Sequence, residues 1–196
     1  GISLIGDIQE RIRLIDSKGY EHKAKLTILK EAARTLNYLT ENNLLQYADL
    51  EKKVEDVHSS YDRTGKELKD VEARLREVQP LIKNISNYQH LKPVYDAFQK
   101  AKDKPSFKAK HEAELVIFEA ARSTLLAMQG NEKLPSLKTL QAEQQRLLEE
   151  QQRLYDERAR LKKEARMIDT LKANVDDFLK PSAERDQEYQ RNSQRE

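Results

Sequence analysis

The feature of this chain that most constrains its fold is a seam of mostly apolar residues that starts at Leu50. The seam steps alternately by four and three residues through eleven positions: Leu50, Val54, Val57, Tyr61, Thr64, Leu68, Val71, Leu75, Val78, Ile82 and Ile85. Because a helix has 3.6 residues per turn, this spacing keeps the seam on one side of a helix, as in coiled coils. The pattern predicts one long helix that needs a partner helix.

A second seam runs from Leu137 to Leu179 and is more polar than the first. One set of its positions is apolar: Leu140, Leu147, Leu154, Leu161, Ile168 and Val175. The other set is largely polar and includes Gln144, Gln151, Arg158 and Lys172. Polar residues within a coiled-coil seam restrict the registers in which two helices can pack. We interpret Gln144, Gln151 and Arg158 as register determinants rather than as a binding site.

The two seams match each other in an antiparallel hairpin. Facing residues in such a hairpin have numbers with a constant sum, and a sum of 225 gives six layers: Ile85–Leu140, Val78–Leu147, Val71–Leu154, Thr64–Leu161, Val57–Ile168 and Leu50–Val175. The intervening layers hold the polar residues, whose long stems can cover apolar surface while their head groups reach water. At 1.5 Å per residue, this predicts a rod of roughly 50 Å.

The composition agrees with long helices. Charged residues make up 36% and hydrophobic residues 37% of the 196 residues, which is too polar for a compact globule of this length. Since 36 Lys and Arg oppose 34 Asp and Glu, the chain as a whole is neither a basic nucleic-acid tail nor an acidic disordered segment. We expect an all-α fold: an elongated, long antiparallel coiled-coil hairpin with a helical tip and a short helical base.

Residues 1–46 are predicted to form the base, a helical hairpin. An isoleucine repeat predicts its first helix, which ends near Gly19: Ile5, Ile8, Ile12 and Ile15. A second helix is predicted from about Glu21 to Glu41, with Asn42 and Asn43 ending it. Its candidate buried stripe is Ala24, Leu26, Leu29, Ala33, Leu36 and Leu39.

The remaining boundaries follow from prolines. Arm 1 covers residues 47–88, with Pro80 on its outward side expected to kink it. The helical tip covers 89–136, arm 2 covers 137–180, and 181–196 is expected to be a polar, flexible tail.

Within the tip, three prolines divide the chain. Pro93 suits the first turn of a short helix through Asp103, Pro105 predicts a break after Lys104, and Pro135 with Ser136 as N-cap restarts the second arm. A further amphipathic helix is predicted from Phe107 to Met128, ending at Gly130. Its apolar positions are Leu115, Val116, Phe118, Ala121 and Leu125.

No catalytic, cofactor or metal site is evident in the sequence. The chain has no cysteine, and its four histidines are scattered, without an HExxH or His-x-His spacing: His22, His58, His90 and His111. Each is interpreted as an exposed helix residue. Lone glycines such as Gly65 and Gly130 offer no phosphate loop. No apolar run approaches the roughly 20 residues that span a bilayer, so we expect no membrane insertion. The absence of cysteine fits a reducing compartment, and we expect a cytoplasmic location.

One segment, between Phe98 and His111, has a local excess of positive charge. Five lysines accompany Asp103 alone: Lys100, Lys102, Lys104, Lys108 and Lys110. They could contact phosphates at the tip, with Phe98 or Phe107 nearby for stacking. The alternative is a solvated interhelical turn whose phenylalanines are buried in the tip core. The absence of arginine favours the alternative, because lysine alone lacks base-reading geometry.

Five segments of the chain carry a resemblance to a known family: TLNYLTENNL at 35–44, YADLE at 47–51, FKAKHEAE at 107–114, KLPSLKTLQAE at 133–143 and KANVD at 172–176. They resemble the C-terminal helical region of MobA-type conjugative relaxases, from integrative and conjugative elements of Gram-positive bacteria. The resemblance covers most of residues 2–180 in the same order, although none of the segments is a catalytic motif. The family usually has an aromatic residue where this chain has Gln144, a departure that concerns packing.

The resemblance implies a parent protein that nicks transfer-origin DNA through a tyrosine and a histidine-bound metal in an N-terminal nuclease domain. That domain is absent from this sequence, and no catalytic role transfers to any of its eight tyrosines. The chain also begins with Gly and carries apolar residues in its first turn, so we interpret it as a piece of a longer protein.

The expected function is therefore that of a non-catalytic accessory domain in mobilisation of a mobile genetic element. The resemblance implies contacts with origin DNA, with relaxosome proteins, or with the coupling protein of the transfer machinery. The alternative is a structural spacer or a dimerising coiled coil without DNA contact. The chain is expected to be a monomer or a coiled-coil dimer, since the same seams could pair within one chain or between two.

Overall fold

A computed structural model of the chain describes residues 3–17, 22–130, 132–180 and 191. This described part is all-helical and contains no strand, which confirms the predicted class. Six helices follow one another: α1 (Leu4–Ser17), α2 (His22–Glu41), α3 (Tyr47–Lys100), α4 (Lys104–Lys110), α5 (Glu112–Gln129) and α6 (Leu137–Leu179). The chain divides into two compact units, residues 1–63 with 157–196 and residues 64–156, and the long helices α3 and α6 contribute to both.

In the first unit, α1 begins where the side chain of Ser3 accepts a hydrogen bond from the backbone N–H of Gly6, at 3.1 Å. A serine in this position satisfies a donor that the first helical turn leaves unpaired. The buried residues Leu4, Ile8 and Ile15 lie on one face of α1, so the isoleucine repeat is confirmed as its apolar face. Gly19, the predicted stop signal, lies outside the described residues.

The second helix ends at Glu41 as predicted, but its buried stripe is shifted from the predicted one. The buried residues of α2 are Ile28, Ala32, Thr35 and Leu39. Of the predicted stripe, Ala24, Leu26 and Ala33 are exposed, and only Leu39 is fully buried. Thr35 can be buried because its hydroxyl donates to the carbonyl oxygen of Glu31 at 2.9 Å. The helix then ends because Asn43 adopts a left-handed backbone conformation, with φ of 55°.

The core of the first unit joins α1 and α2 to parts of α3 and α6. Its largest cluster includes both members of two predicted layers, Leu50 with Val175 and Val57 with Ile168. Residue numbers fall along α6 as they rise along α3, since Tyr47 bonds to Asp176 and His58 to Asp169. The two helices are therefore antiparallel within this unit. The full register with a residue sum of 225 stays a prediction.

In the second unit, α3 does not end near residue 88 or restart at Pro93 as predicted. It continues to Lys100 with Pro80 and Pro93 inside it. Both prolines are exposed. Leu91, which lies between them, is buried, and Tyr95, which follows Pro93, packs against the ring of Phe118. We attribute the continuity of the helix to this packing, which offsets the hydrogen bonds that the prolines cannot donate. The predicted separate helix from Pro93 to Asp103 is wrong.

The predicted helix from Phe107 to Met128 is divided into two. A short α4 starts at Lys104, with Pro105 in its first turn, and ends before His111, whose backbone leaves the helical region at φ −121° and ψ 24°. The break therefore lies before Lys104 and not after it: α3 ends at Lys100, and α4 begins at Lys104 with Asp103 as its cap. Helix α5 then runs to Gln129, and Gly130, with φ of 54°, ends it as predicted.

Helix α5 packs through Phe118, whose ring lies between those of two tyrosines of α3. The ring centroids are 5.0 Å from Tyr88 and 4.5 Å from Tyr95. Four of the five predicted apolar positions are buried, namely Leu115, Phe118, Ala121 and Leu125. Val116 is instead 61% exposed, so its assignment to the buried face was wrong. It lies 100° from Leu115 around the helix, which turns it away from α3.

The second long helix starts as predicted. The hydroxyl oxygen of Ser136 accepts a hydrogen bond from the backbone N–H of Thr139 at 3.2 Å, which is the N-cap expected after Pro135. Leu140 is fully buried in a cluster with Val78, Ile85 and Leu125. Helix α6 ends at Leu179, and the predicted tail lies, apart from Arg191, outside the described residues. None of the described helices is both long and apolar enough to cross a bilayer.

Candidate functional site

The lysine cluster, defined as Lys100, Lys102, Lys104, Lys108 and Lys110, lies where α3 ends and α4 follows. All five lysines are exposed. Asp103, the one acidic residue among them, caps α4 by accepting a hydrogen bond from the backbone N–H of Ser106 at 3.1 Å. Its carboxylate therefore stabilises the start of α4, and the five lysines stay close together within one short segment.

The lysine cluster is distinguished by the number of positive charges that lie within one short segment. None of the five lysines has a carboxylate within ion-pair distance among the described residues, whereas ion pairs neutralise basic groups elsewhere in the same unit, such as Lys92 with Asp96 and Arg153 with Glu150. Like charges so close together attract anions and hold them by an electrostatic, salt-dependent force. The cluster can therefore contact phosphates, without any geometry that distinguishes one base from another.

Aromatic rings lie beside the lysines. The rings of Phe98 and Phe107 are 6.1 Å apart, and Phe107 stacks on His111 at 4.4 Å. All three side chains are half-buried, so the phenylalanines are neither free platforms nor residues of a closed core. Each ring keeps part of its surface open to solvent next to the positive charges, as in proteins that stack on single-stranded nucleic acid.

The histidines remain separate from one another. His58 lies 2.8 Å from a carboxylate oxygen of Asp169, and His111 lies 3.2 Å from one of Glu114, while His22 and His90 are exposed. Within the described ranges no three His, Cys, Asp or Glu side chains are arranged to hold a metal ion.

No protein-family model matches this chain, and no curated protein or solved structure is significantly similar to it. A functional assignment therefore depends on the residues of the chain itself and on the resemblance of its sequence segments.

Three of the four polar residues of the second seam contact the partner helix. In the second unit, Gln151 and Tyr155 both donate to the carboxylate of Glu72, at 3.4 and 2.5 Å. The hydrogen bond from Tyr155 lowers the pKa of Glu72 below its ordinary value. The head group of Gln151 thus reaches a side chain of α3 rather than only water.

In the first unit, Arg158 and Lys172 make similar contacts. The guanidinium of Arg158 lies 4.0 Å above the ring of Tyr61 and donates to its carbonyl oxygen at 3.3 Å. The ammonium of Lys172 lies 5.6 Å from the centre of the Tyr47 ring. Tyr47 donates to one carboxylate oxygen of Asp176 at 2.5 Å, and Lys172 donates to the other at 2.9 Å. Burial opposes ionisation of Asp176, but these two hydrogen bonds hold its pKa below the ordinary value.

Sequence reasoning missed a polar contact of two hydrogen bonds between the long helices. In the second unit, the guanidinium of Arg74 donates to both carboxylate oxygens of Glu143, at 2.6 and 3.1 Å. These hydrogen bonds lower the pKa of Glu143, although burial opposes them. Only the predicted antiparallel alignment could have suggested the pair, because neither residue belongs to a seam.

The pair of Arg74 and Glu143 should make the stability of the chain depend on pH. The pKa of Glu143 is lowered in the folded protein, so its stabilising contribution is complete above the ordinary pKa of about 4.5 and is lost as the pH falls through the folded value. We expect E143Q to lower the free energy of unfolding at pH 7 by about 0.5–1 kcal/mol. The difference from the native chain should shrink in acid, as measured by denaturant titrations at several pH values.

The matched control is E67Q, which neutralises an exposed glutamate on α3. It should leave both the stability at pH 7 and its acid dependence close to native. A constant difference between E143Q and the native chain at every pH would show that the carboxylate charge is irrelevant.

Proposed function

We propose that this chain is a non-catalytic accessory domain of a conjugative relaxase, and that it contacts DNA through the lysine cluster during mobilisation. The resemblance of five sequence segments to MobA-type relaxases supports the family. In this proposal the parent protein nicks DNA with another domain, and this chain acts in the cytoplasm. Relaxosome proteins or the coupling protein are the further partners.

The observation that carries the DNA contact is the density of exposed positive charge in the lysine cluster. Five exposed lysines lie within eleven residues of sequence, and the only acidic group among them is bound to the start of α4. Each phosphate that a lysine neutralises releases bound counterions, which favours association at low salt. The half-buried Phe98 and Phe107 add surface on which an unpaired base can stack.

A second candidate function, that of a spacer or dimerising coiled coil without DNA contact, is favoured by the contacts between α3 and α6. Polar side chains of α6 bind α3 in both units, including Glu143 in one and Asp176 in the other. We propose that these contacts belong to a continuous antiparallel coiled-coil hairpin with a base and a tip. Such contacts fix the pairing of two helices and need no ligand.

The experiment that separates the two functions is a salt-dependent titration of the chain with single-stranded and duplex origin DNA. Replacing all five lysines of the cluster with glutamine should weaken binding at low salt at least tenfold. The dependence of log K on log salt should become shallower by roughly 0.7–0.9 for each phosphate that the variant no longer neutralises.

The control replaces five exposed lysines outside the cluster and removes the same total charge: Lys52, Lys66, Lys69, Lys162 and Lys163. This control should bind DNA nearly as well as the native chain. Equal weakening in both variants would mean that net charge alone drives binding, and no binding by the native chain at low salt would support the spacer.

A further inference from the structure

Helix α5 exposes apolar side chains on the side opposite to its packed face. Leu115, Phe118 and Leu125 face the rest of the second unit and are buried. On the other side, Val116 is 61% exposed, Ile117 46% and Met128 44%. Several large apolar side chains exposed together on one side of a helix commonly mark an interaction site. The exposed side of α5 therefore lacks a cover within the described chain.

The exposed side forms a continuous strip without charge. At 100° per residue, eight residues fall within an arc of roughly 140°, which we call the charge-free face: Ala113, Val116, Ile117, Ala120, Ser123, Thr124, Ala127 and Met128. All are exposed except Thr124, which is half-buried and donates its hydroxyl proton to the carbonyl oxygen of Ala120 at 2.8 Å. The face thus extends along the whole helix of 18 residues.

The charge state of this face restricts its partner. In a chain with 36% charged residues, every other described helix has charged side chains among its exposed residues on several sides. A charged surface placed against the charge-free face would lose hydration without gaining an ion pair. Among the described helices, the surface that matches this face is the charge-free face itself.

We propose that the charge-free face binds the same face of a second copy of this chain, with the two α5 helices antiparallel across a twofold axis at Ala120. Such an isologous contact joins identical patches, so each residue meets its counterpart at a constant residue sum, here 240. This interface is separate from the proposed DNA contact, because it involves none of the five lysines.

The antiparallel direction follows from the distribution of side-chain size. Bulky Val116 and Ile117 lie in the first half of the face, and small Ser123 and Thr124 lie in the second half, with Met128 at the edge of the face. Antiparallel pairing places Val116 opposite Thr124 of the other copy and Ile117 opposite Ser123, so that large side chains meet small ones. Parallel pairing would place the bulky residues against each other and hold the alanines apart, which leaves voids.

Alanine spacing allows a close approach of the two helices. Ala113, Ala120 and Ala127 are seven residues apart and lie along the middle of the face. In the proposed arrangement Ala120 meets itself at the axis, and Ala113 meets Ala127 of the other copy. Glu119 at the edge of the face is 3.8 Å from Arg122 of its own helix, so it does not enter the contact as an uncompensated charge.

The absence of cysteine from the chain permits a direct test by disulfide formation under mild oxidation. A120C should form a disulfide-linked dimer rapidly. A113C and A127C should each crosslink poorly alone but form a mixed dimer efficiently when combined. A159C, at an exposed alanine of α6, is the control for random collision and should crosslink slowly.

Sedimentation of the cysteine-free chain provides the second readout. We expect a concentration-dependent dimer. The double variant V116E with I117E should weaken the association roughly 100-fold, because both copies bring the new charges into the interface, where they would be buried. M167E, at a residue 47% exposed on α6, should leave it unchanged. A monomer at all concentrations, or efficient self-crosslinking of A113C, would overturn the proposal. Weakening by M167E alone would also overturn it, by placing the interface elsewhere.

Discussion

Replacing Phe118 with alanine is expected to destabilise the second unit by about 3–5 kcal/mol. The side chain is 2% exposed, and its ring fills the space between Tyr88 and Tyr95. Its removal takes away both the buried apolar area and the two ring contacts through which α5 packs on α3. Hydrogen exchange followed by mass spectrometry should show roughly 100-fold or faster exchange in α5, since its local opening becomes easier.

The matched control is L126A, at the residue of the same helix that is 62% exposed. It should change the free energy of unfolding by less than about 0.5 kcal/mol and leave exchange in α5 near native. Exchange in α1 and α2, which belong to the first unit, should stay unchanged in F118A. A destabilisation below about 1 kcal/mol in F118A would mean that α5 is held by other contacts.

The long helices could be predicted because their many charged residues leave only one side of each helix that can be buried. A helix of 54 residues such as α3 must place its many charged residues in water, so the scarce apolar residues mark the packed side without ambiguity. The same reasoning worked for the buried isoleucines of α1. Where the charge pattern is strict, the buried face can be read directly from the residue spacing.

The buried stripe of α2 was predicted incorrectly because this helix has apolar residues on more than one of its sides. Leu26 and Ile28 each start a series of apolar residues with helical spacing. Periodicity alone does not decide which of the two series is buried. The actual stripe contains Thr35, a polar residue that periodic patterns exclude. Its burial depends on a hydrogen bond to its own helix, which only the folded backbone reveals.

The prolines misled the prediction for a different physical reason. Pro93 was treated as the start of a helix, which local propensity favours. The packing of Tyr95 against Phe118 comes from residues more than 20 positions apart, so no local rule contains it. Tertiary packing thus outweighs the local cost of proline in α3. The same limit applies to Val116, which periodicity assigned to the packed face.

The candidate site could be predicted only in part. The scarcity of acid near the lysine cluster is visible in the sequence, and the structure adds that Asp103 is occupied as a helix cap. The pair of Arg74 and Glu143 could not be predicted from either seam, because the two residues flank the packed positions and are 69 residues apart. Polar contacts beside a seam depend on the exact helix orientation, which a pattern does not specify.

Replacing the polar seam residues Gln144, Gln151 and Arg158 with leucine is expected to raise the stability of the chain. It is also expected to allow more than one pairing of the long helices. All three are half-buried, so leucines there would bury additional apolar area, worth roughly 2–4 kcal/mol in total. The variant cannot form the hydrogen bonds from Gln151 to Glu72 and from Arg158 to Tyr61. Since continuous apolar seams pack in several registers, we expect a higher melting temperature together with a mixture of pairings and oligomers.

The readout of register is a disulfide between V71C and L154C, two facing positions at the predicted sum of 225 and both in the second unit. This pair should crosslink within one chain in the otherwise native sequence, while L75C with L154C should not. In the leucine variant, the first pair should crosslink less completely and new products between chains should appear. Failure of V71C with L154C in the native background would contradict the register itself. Undiminished crosslinking in the leucine variant would instead show that the apolar layers fix the pairing, since the register would then survive without any of its polar residues.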